Sequence, residues 1–244
     1  MVHSENFEYP SCPLPFSEHD QILLGHGSGG KLSAELIQKL FLPAFGNDVL
    51  NALEDQATLD LEKNLTEKRG THAPRLAFTT DSYVVKPVFF PGGDIGKLAV
   101  HGTVNDLAMG GAKPLFLSAA FILEEGFLLE QLHRIVHSMQ QACDAANVQL
   151  VTGDTKVVDR GKGDQIFITT SGIGVVPPGR NLSIRNAQPG DRILLSGTIG
   201  DHGITIMSVR EGIEFETKLE SDTAALHGLT EAMLETCPTI RCMR

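Results

Sequence analysis

The sequence predicts an α+β fold: a larger unit with a mixed sheet and packed helices, followed by the start of a second α+β unit. Three observations carry this. Apolar runs of strand length recur as R-L-A-F-T-T-D, S-Y-V-V-K-P-V-F-F, P-L-F-L-S-A-A-F-I-L, V-Q-L-V-T-G-D and Q-I-F-I-T-T-S-G-I-G-V-V. Helical periodicity falls between them, most clearly from Phe127 to Asn147. The two kinds of element mix without strict βα alternation, which argues against a doubly wound sheet.

Along the chain, residues 1–20 hold three prolines and little periodicity, and are expected to form an extended arm. A short strand at 21–24 (Q-I-L-L) then meets G-H-G-S-G-G. From Lys31 to Phe41, Leu32, Leu36, Ile37 and Leu40 share one helical face. Residues 61–74 are charged and end in G-T-H-A-P, as a surface loop does. P-G-G at 91–93 interrupts the strand pattern, and Asp94 is placed to cap a helix running to Gly110-Gly111. V-Q-L-V-T-G-D is expected to be a buried strand. P-P-G-R at 177–180 marks a boundary, so 21–178 forms the first domain and 179–244 the second. The second contains one strand, D-R-I-L-L-S-G, a glycine turn and two helices, too little to close a core of its own.

With 244 residues, 41% hydrophobic and 20% charged, the chain can bury a substantial core. Its net charge is −10 and its longest basic run is Lys68-Arg69, which argues against nucleic acid as a partner. The longest nearly apolar stretch, Leu115 to Leu123, is far short of a membrane span. The polar, acidic N-terminus does not resemble a signal peptide. Cys12, Cys143, Cys237 and Cys242 form no C-x-x-C pair, and reduced thiols in a cytoplasmic protein are expected.

Three aspartates recur beside apolar stretches: Asp81 in L-A-F-T-T-D-S, Asp106 in G-T-V-N-D-L-A, and Asp154 in V-T-G-D-T-K. One aspartate beside a strand or helix is an ordinary turn residue. Three, with a glycine-rich loop upstream, suit a hard divalent cation that keeps phosphate oxygens among its ligands. Lys156, two residues beyond Asp154, would add an ammonium for phosphate, against the plainer option of a surface ion pair.

Gly25–Lys31 fits G-x-G-x-x-G and G-x-x-x-x-G-K by letter but not by context. Leu32 stands where the phosphate loop needs Ser or Thr, and only four apolar-leaning residues precede the loop. Glycines opening a helix still offer N–H groups to phosphate. His133 and His137 are spaced like a zinc pair, but Arg134 replaces the glutamate of H-E-x-x-H, so a solvated helix face is the better account. Asn105-Asp106 is embedded among apolar residues and needs a partner there. S-G-T-I-G-D-H-G at 196–203 is either a second anion-binding turn or a tight corner.

These segments, G-H-G-S-G-G-K, the run T-D-S-Y-V-V-K-P-V-F-F-P-G-G-D-I-G-K-L-A-V-H-G-T-V-N-D-L-A-M-G-G-A, F-I-L-E-E-G, V-T-G-D-T-K-V-V and S-G-T-I-G-D-H-G, resemble the HypE family of hydrogenase maturation factors. That family belongs to the ATP-binding superfamily of aminoimidazole ribonucleotide synthetase, selenophosphate synthetase and thiamine monophosphate kinase. The resemblance spans roughly residues 20–244.

It implies an aminoimidazole ribonucleotide synthetase-like N-terminal domain that pairs with its twin in a homodimer to build a barrel, with ATP and Mg²⁺ nearby. By motif, Asp55, Asp81, Asp106 and Asp154 would hold the metal. Gly27, Ser28, Gly29 and Gly30 would lie over the nucleotide, with Lys97, Asn105 and Lys156 toward its phosphates. Asp81 and Lys156 would serve the chemistry. That chemistry is an ATP-dependent dehydration of a carbamoylated C-terminal cysteine to thiocyanate. HypF supplies the carbamoyl group, and the HypC–HypD complex receives the cyano group.

The family ends in P-R-I-C, whereas this chain ends R-C-M-R. P-T-I-R-C at 238–242 matches an internal family segment, so Cys242 is not expected to be the acceptor and a C-terminally truncated chain is expected. Two other functions compete: a small-molecule kinase of the same superfamily, and a non-catalytic fragment that dimerises.

Overall fold

A computed structural model describes residues 21–60, 75–213, 215 and 219–244. The predicted N-terminal arm and the 61–74 loop lie outside the described residues. The backbone groups into two compact units, one up to Leu53 and one from Glu54 onward.

In the first unit the expected strand at 21–24 does not form. Leu24–Gly27 is a 3₁₀ turn, and among the described residues Ile22 and Leu24 have no partner strand and stay exposed. The helix expected from Lys31 does form, as α1 (Lys31–Leu36), a π-helical turn (Ile37–Phe41) and α2 (Leu42–Phe45).

The second unit is built on one sheet and the helices covering one of its faces. Its strands are β1 (Ala57–Leu59), β2 (Arg75–Tyr83), β5 (Lys113–Glu124), β6 (Gln149–Val158) and β7 (Ile166–Val176), in the order β1-β2-β7-β5-β6. Only β5 and β6 run parallel, with α4 (Leu129–Ala146) as their crossover. The other pairings are antiparallel, which makes the sheet mixed, as expected. It is open and does not close on itself. A two-residue ladder, β3 (Phe89–Phe90) with β4 (Gly93–Asp94), leads into α3 (Ile95–Met109). The single run expected through 82–90 is thus split: β2 ends at Tyr83, and Val84–Val88 forms a loop.

Asp94 caps α3 as predicted, its Oδ1 accepting the Gly96 and Lys97 amides at 2.7 and 3.1 Å. This meets orphan donors of the first turn. α3 is apolar nearly all round, with Ile95, Ala99, Val100, Val104 and Leu107 fully buried, so it must be enclosed. The sheet lies on one side, α4 on another and α6 (His227–Thr236) on a third. The α3–α4 approach needs Gly96, where a Cβ would fall 2.6 Å from the Ile135 carbonyl.

Strand β6 is where burial was misjudged. It is exposed from Gln149 to Val157, because it forms one edge of the sheet and α4 packs mainly on α3, covering little of β6. The D-R-I-L-L-S-G strand also does not form: Ile193, Leu194 and Leu195 are exposed coil, with no strand beside them among the described residues. The two helices expected after it are present, α5 (Asp201–Glu211) and α6.

The segment joining these parts is pinned by charge. Arg180 makes a bidentate ion pair with Glu231 on α6, 2.6 Å in each arm, and donates to the Gly111 carbonyl at 2.9 Å. Such paired geometry is the strong form of the interaction.

Candidate functional site

Strand period two explains the site's floor. Thr79, Asp81 and Tyr83 alternate along β2 onto the face that α3 covers, while Phe78, Thr80 and Ser82 face the opposite way. Thr79 Oγ1 lies 2.9 Å from Asp106 Oδ2 on α3 and 3.0 Å from the Asp55 carbonyl. One hydroxyl therefore ties together three segments distant in sequence. Behind it, Thr103 and Thr170 share a buried 2.6 Å hydrogen bond between α3 and β7.

Asp55, Asp81 and Asp106 share one electrostatic field. Burial raises the Asp106 carboxyl to about 6, with the Thr79 bond opposing and the charges of Asp81 and Asp55 adding to the rise. Burial likewise raises Asp55, offset in part by Arg244, whose guanidinium stands 3.5 Å from Asp55 Oδ1. Tyr83 Oη is enclosed close to Asp81 and Thr103, with loose geometry to both and no well-formed hydrogen bond among the described residues. Burial and the neighbouring Asp81 push this phenol well above its usual range. The ring lies over Gly102, where a Cβ would fall 2.1 Å from Oη. The result is a partly buried acidic region beside an enclosed phenol, in which the carboxylates feel one another's charge.

Asp154 stands apart. Asp81, Thr170, Ala119 and Gly153 are in register across four strands, so they share the α3 face. Asp154, one residue on, turns to the open face, where it is exposed and pairs with Lys156 at 3.5 Å. Within one chain Asp154 therefore does not join the other three. Among the described residues, no three His, Cys, Asp or Glu side chains come close enough together to hold a metal ion.

The remaining candidates are scattered. Lys97 Nζ donates to the Gly92 carbonyl at 3.0 Å, and Asn105 is engaged by backbone at 224–226. Gly27, Ser28, Gly29 and Gly30 belong to the first unit. There Ser28 Oγ donates to the Gly25 carbonyl and the Gly29 amide to Ser33 Oγ, each at 2.9 Å. His133 and His137 lie exposed on α4, with His137 3.1 Å from Gln141, as a solvated face should be.

Residues 54–176 match the AIR synthase related protein N-terminal domain, and residues 188–243 match its C-terminal domain. The chain belongs to the AIR synthase related protein family. Within that family it is 57% identical over 219 residues to the carbamoyl dehydratase HypE of Azotobacter vinelandii, covering 90% of this chain and 61% of the relative. A crystal structure of a HypE–HypF complex superposes with TM-score 0.77 at 53% identity, covering 86% of this chain and 64% of that one. HypE in complex with ATP gives TM-score 0.67 at 49% identity, over 92% and 64%. The chain thus spans about 61% of the length of the curated relative.

Against this family background, Thr79 and Tyr83 are the site residues the sequence reading passed over. Their signal was available: both lie two positions from Asp81 in T-T-D-S-Y. Arg244 gave no comparable signal, since its partner Asp55 is remote in sequence.

The raised Asp106 carboxyl makes a prediction with a definite sign. Its folded-state value, about 6, lies above the ordinary aspartate value of 3.8, so the native state holds the proton more tightly. Its contribution to stability therefore falls as pH rises from about 4 to 6 and stays low above that. Asp106→Asn should raise the melting temperature at pH 8 by about 2–4 °C, roughly 1 kcal/mol after solvent screening, and the gain should vanish towards pH 4. Calorimetric melts across that range check it. A gain that is largest at low pH would contradict the assignment.

Proposed function

We propose that this chain binds ATP with Mg²⁺ as part of a carbamoyl dehydratase that makes the cyanide ligand of nickel–iron hydrogenase. The observation that carries this is the joining of Asp55, Asp81 and Asp106 in one buried field, in a chain 57% identical to a HypE. Asp55, Asp81 and Asp106 do not close on a common point among the described residues, so in this reading one or two of these carboxylates would hold Mg²⁺, and the nucleotide's phosphate oxygens and water would supply the rest of its shell. When bound, the ion would neutralise charge on the transferred phosphoryl group.

The chain's own residues set the rest. Burial leaves Asp106 poised between protonated and ionised near neutral pH, so cation binding and proton release are coupled at this carboxyl. Tyr83 Oη, packed over Gly102 and close to Asp81 and Thr103, places a donor next to the Asp81 carboxylate. In the overall reaction ATP phosphorylates the amide oxygen of a protein thiocarbamate and leaves as ADP. Loss of the amide protons with inorganic phosphate then gives the thiocyanate.

Lys156 and Asp154 stand on the open face, which further along also carries an apolar row formed by Phe78, Ile173 and Phe116 in register. We assign that face to a second copy of the chain, so that Lys156 and Asp154 act across the homodimer. HypF would supply the carbamoyl group and HypC–HypD accept the cyano group, in the cytoplasm. No helix among the described residues is long and apolar enough to cross a membrane. Cys242 is a poor acceptor: it is half-buried, and burial pushes its thiol up, away from the nucleophilic thiolate.

The test is ATP binding by this chain with and without Mg²⁺, beside carbamoylation by HypF. Mg²⁺-dependent ATP binding without label on Cys242 is expected. Binding indifferent to Mg²⁺, or label at Cys242, would overturn the corresponding part.

A further inference from the structure

A strap of residues 221–226, ahead of α6, lies against α3 on the side away from the sheet. It is held at three points. The Ser221 amide donates to the Pro91 carbonyl at 2.9 Å. Thr223 Oγ1 and His101 Nδ1 stand 3.4 Å apart. Asn105 then bonds at both ends of its amide: Nδ2 donates to the Ala224 carbonyl at 2.9 Å, and Oδ1 accepts the Leu226 amide at 2.8 Å.

These two partners also fix the orientation of the Asn105 amide, because the reverse flip would set oxygen against oxygen and N–H against N–H. The strap is seated closely. At Gly92, whose φ is +89°, a Cβ would fall 2.9 Å from both the nitrogen and the oxygen of Ser221. Asn105 is thus committed to backbone in the region matched by the C-terminal family domain, while the next residue, Asp106, reaches the other way to Thr79 on β2.

We propose that Asn105 is a positioning residue, whose amide locks the 221–226 strap onto α3 and so sets Asp106 against β2. In this role it makes no contact with nucleotide. The C-terminal region then acts on the acidic cluster through one helix: the strap holds the outer side of α3, and the cluster sits on its inner side.

Two variants remove the same bond from opposite ends. Asn105→Ala deletes the acceptor and the donor, and Leu226→Pro deletes only the amide while leaving Asn105 intact. Hydrogen exchange in Asn105→Ala should show the Leu226 amide exchanging about tenfold faster. In both variants the resonances of Thr79, which does not touch the strap, should shift. Unchanged exchange at Leu226, or an unmoved Thr79, would overturn the proposal.

A third measurement rests on the ATP reading above. Both variants should weaken binding of Mg²⁺-ATP by a similar factor, roughly three- to tenfold. Weakening in Asn105→Ala but not in Leu226→Pro would mark a direct nucleotide contact and end the positioning role. If the unaltered chain binds no Mg²⁺-ATP, the ATP reading fails, and the exchange and Thr79 measurements decide the proposal by themselves.

Discussion

Asp81→Ala is expected to abolish Mg²⁺-dependent nucleotide binding, a loss of at least a hundredfold in affinity, or about 2.7 kcal/mol. The size follows from the position of Asp81. Its β2 neighbours on the same face are Thr79, already bound to Asp106, and Tyr83, a phenol that carries no charge. No other carboxylate on β2 can replace it, and a hard cation deprived of one charged oxygen ligand loses a large share of its binding energy. The fold should survive, because Asp81 sits partly exposed and its contacts, the Ser82 amide at 2.9 Å and the Tyr83 phenol, are local to β2. Titration calorimetry with ATP, with and without Mg²⁺, gives the answer, and circular dichroism checks that the sheet persists. ATP affinity in Mg²⁺ unchanged from the parent would remove Asp81 from the metal site.

Gly153→Ala should destabilise the protein by about 3 kcal/mol, lowering the melting temperature by about 6–12 °C. A Cβ there would stand 2.3 Å from the carbonyl oxygen of Ala119. That oxygen is backbone in β5, the neighbouring strand, so no rotamer change relieves the clash. Either β6 moves away from β5 or their parallel ladder breaks, and both displace Asp154 and Lys156. Gly203→Ala supplies the contrast. Among the described residues nothing beyond its own helix lies within 4 Å of the added methyl, and within α5 alanine is favoured over glycine by about 1 kcal/mol. Thermal melts should therefore move in opposite directions. A Gly153 variant that melts with the parent would show that β5 and β6 are not closely paired in solution.

Much of the second unit was legible because its signals are local. Asp94 followed by a helical run specifies its own cap, and the length and periodicity of 127–147 leave α4 little choice. Apolar runs located β5 and β7 for the same reason. What failed depended on partners. The residues of D-R-I-L-L-S-G have strand character, but a strand needs an adjacent strand, and none stands beside Ile193–Leu195 among the described residues. V-Q-L-V-T-G-D formed a strand yet stayed exposed, since hydrophobicity cannot say which strand will lie at an edge. The site divided along the same line. Asp81 and Asp106 share a face because strand and helix periods put them there. Asp154 turns away because register, which the sequence does not display, places Gly153 and not Asp154 across from Asp81. Asn105 was noticed as a buried polar residue in need of a partner, and its partners proved to be backbone 119 and 121 residues away.

Strand β6 has one further consequence. An edge strand with open main-chain donors and acceptors is a template for indiscriminate addition of other β-segments, and proteins defend such edges with charge. Asp154 and Lys156, adjacent on one side of this strand, supply one charge of each sign at its middle. A flat apolar intruder would have to bury both, whereas a partner carrying the complementary pair in the right register would not. On this argument the Asp154–Lys156 pair would also guard the edge against unselective assembly. Replacing both with alanine would put solubility at risk before any effect on catalysis could be measured.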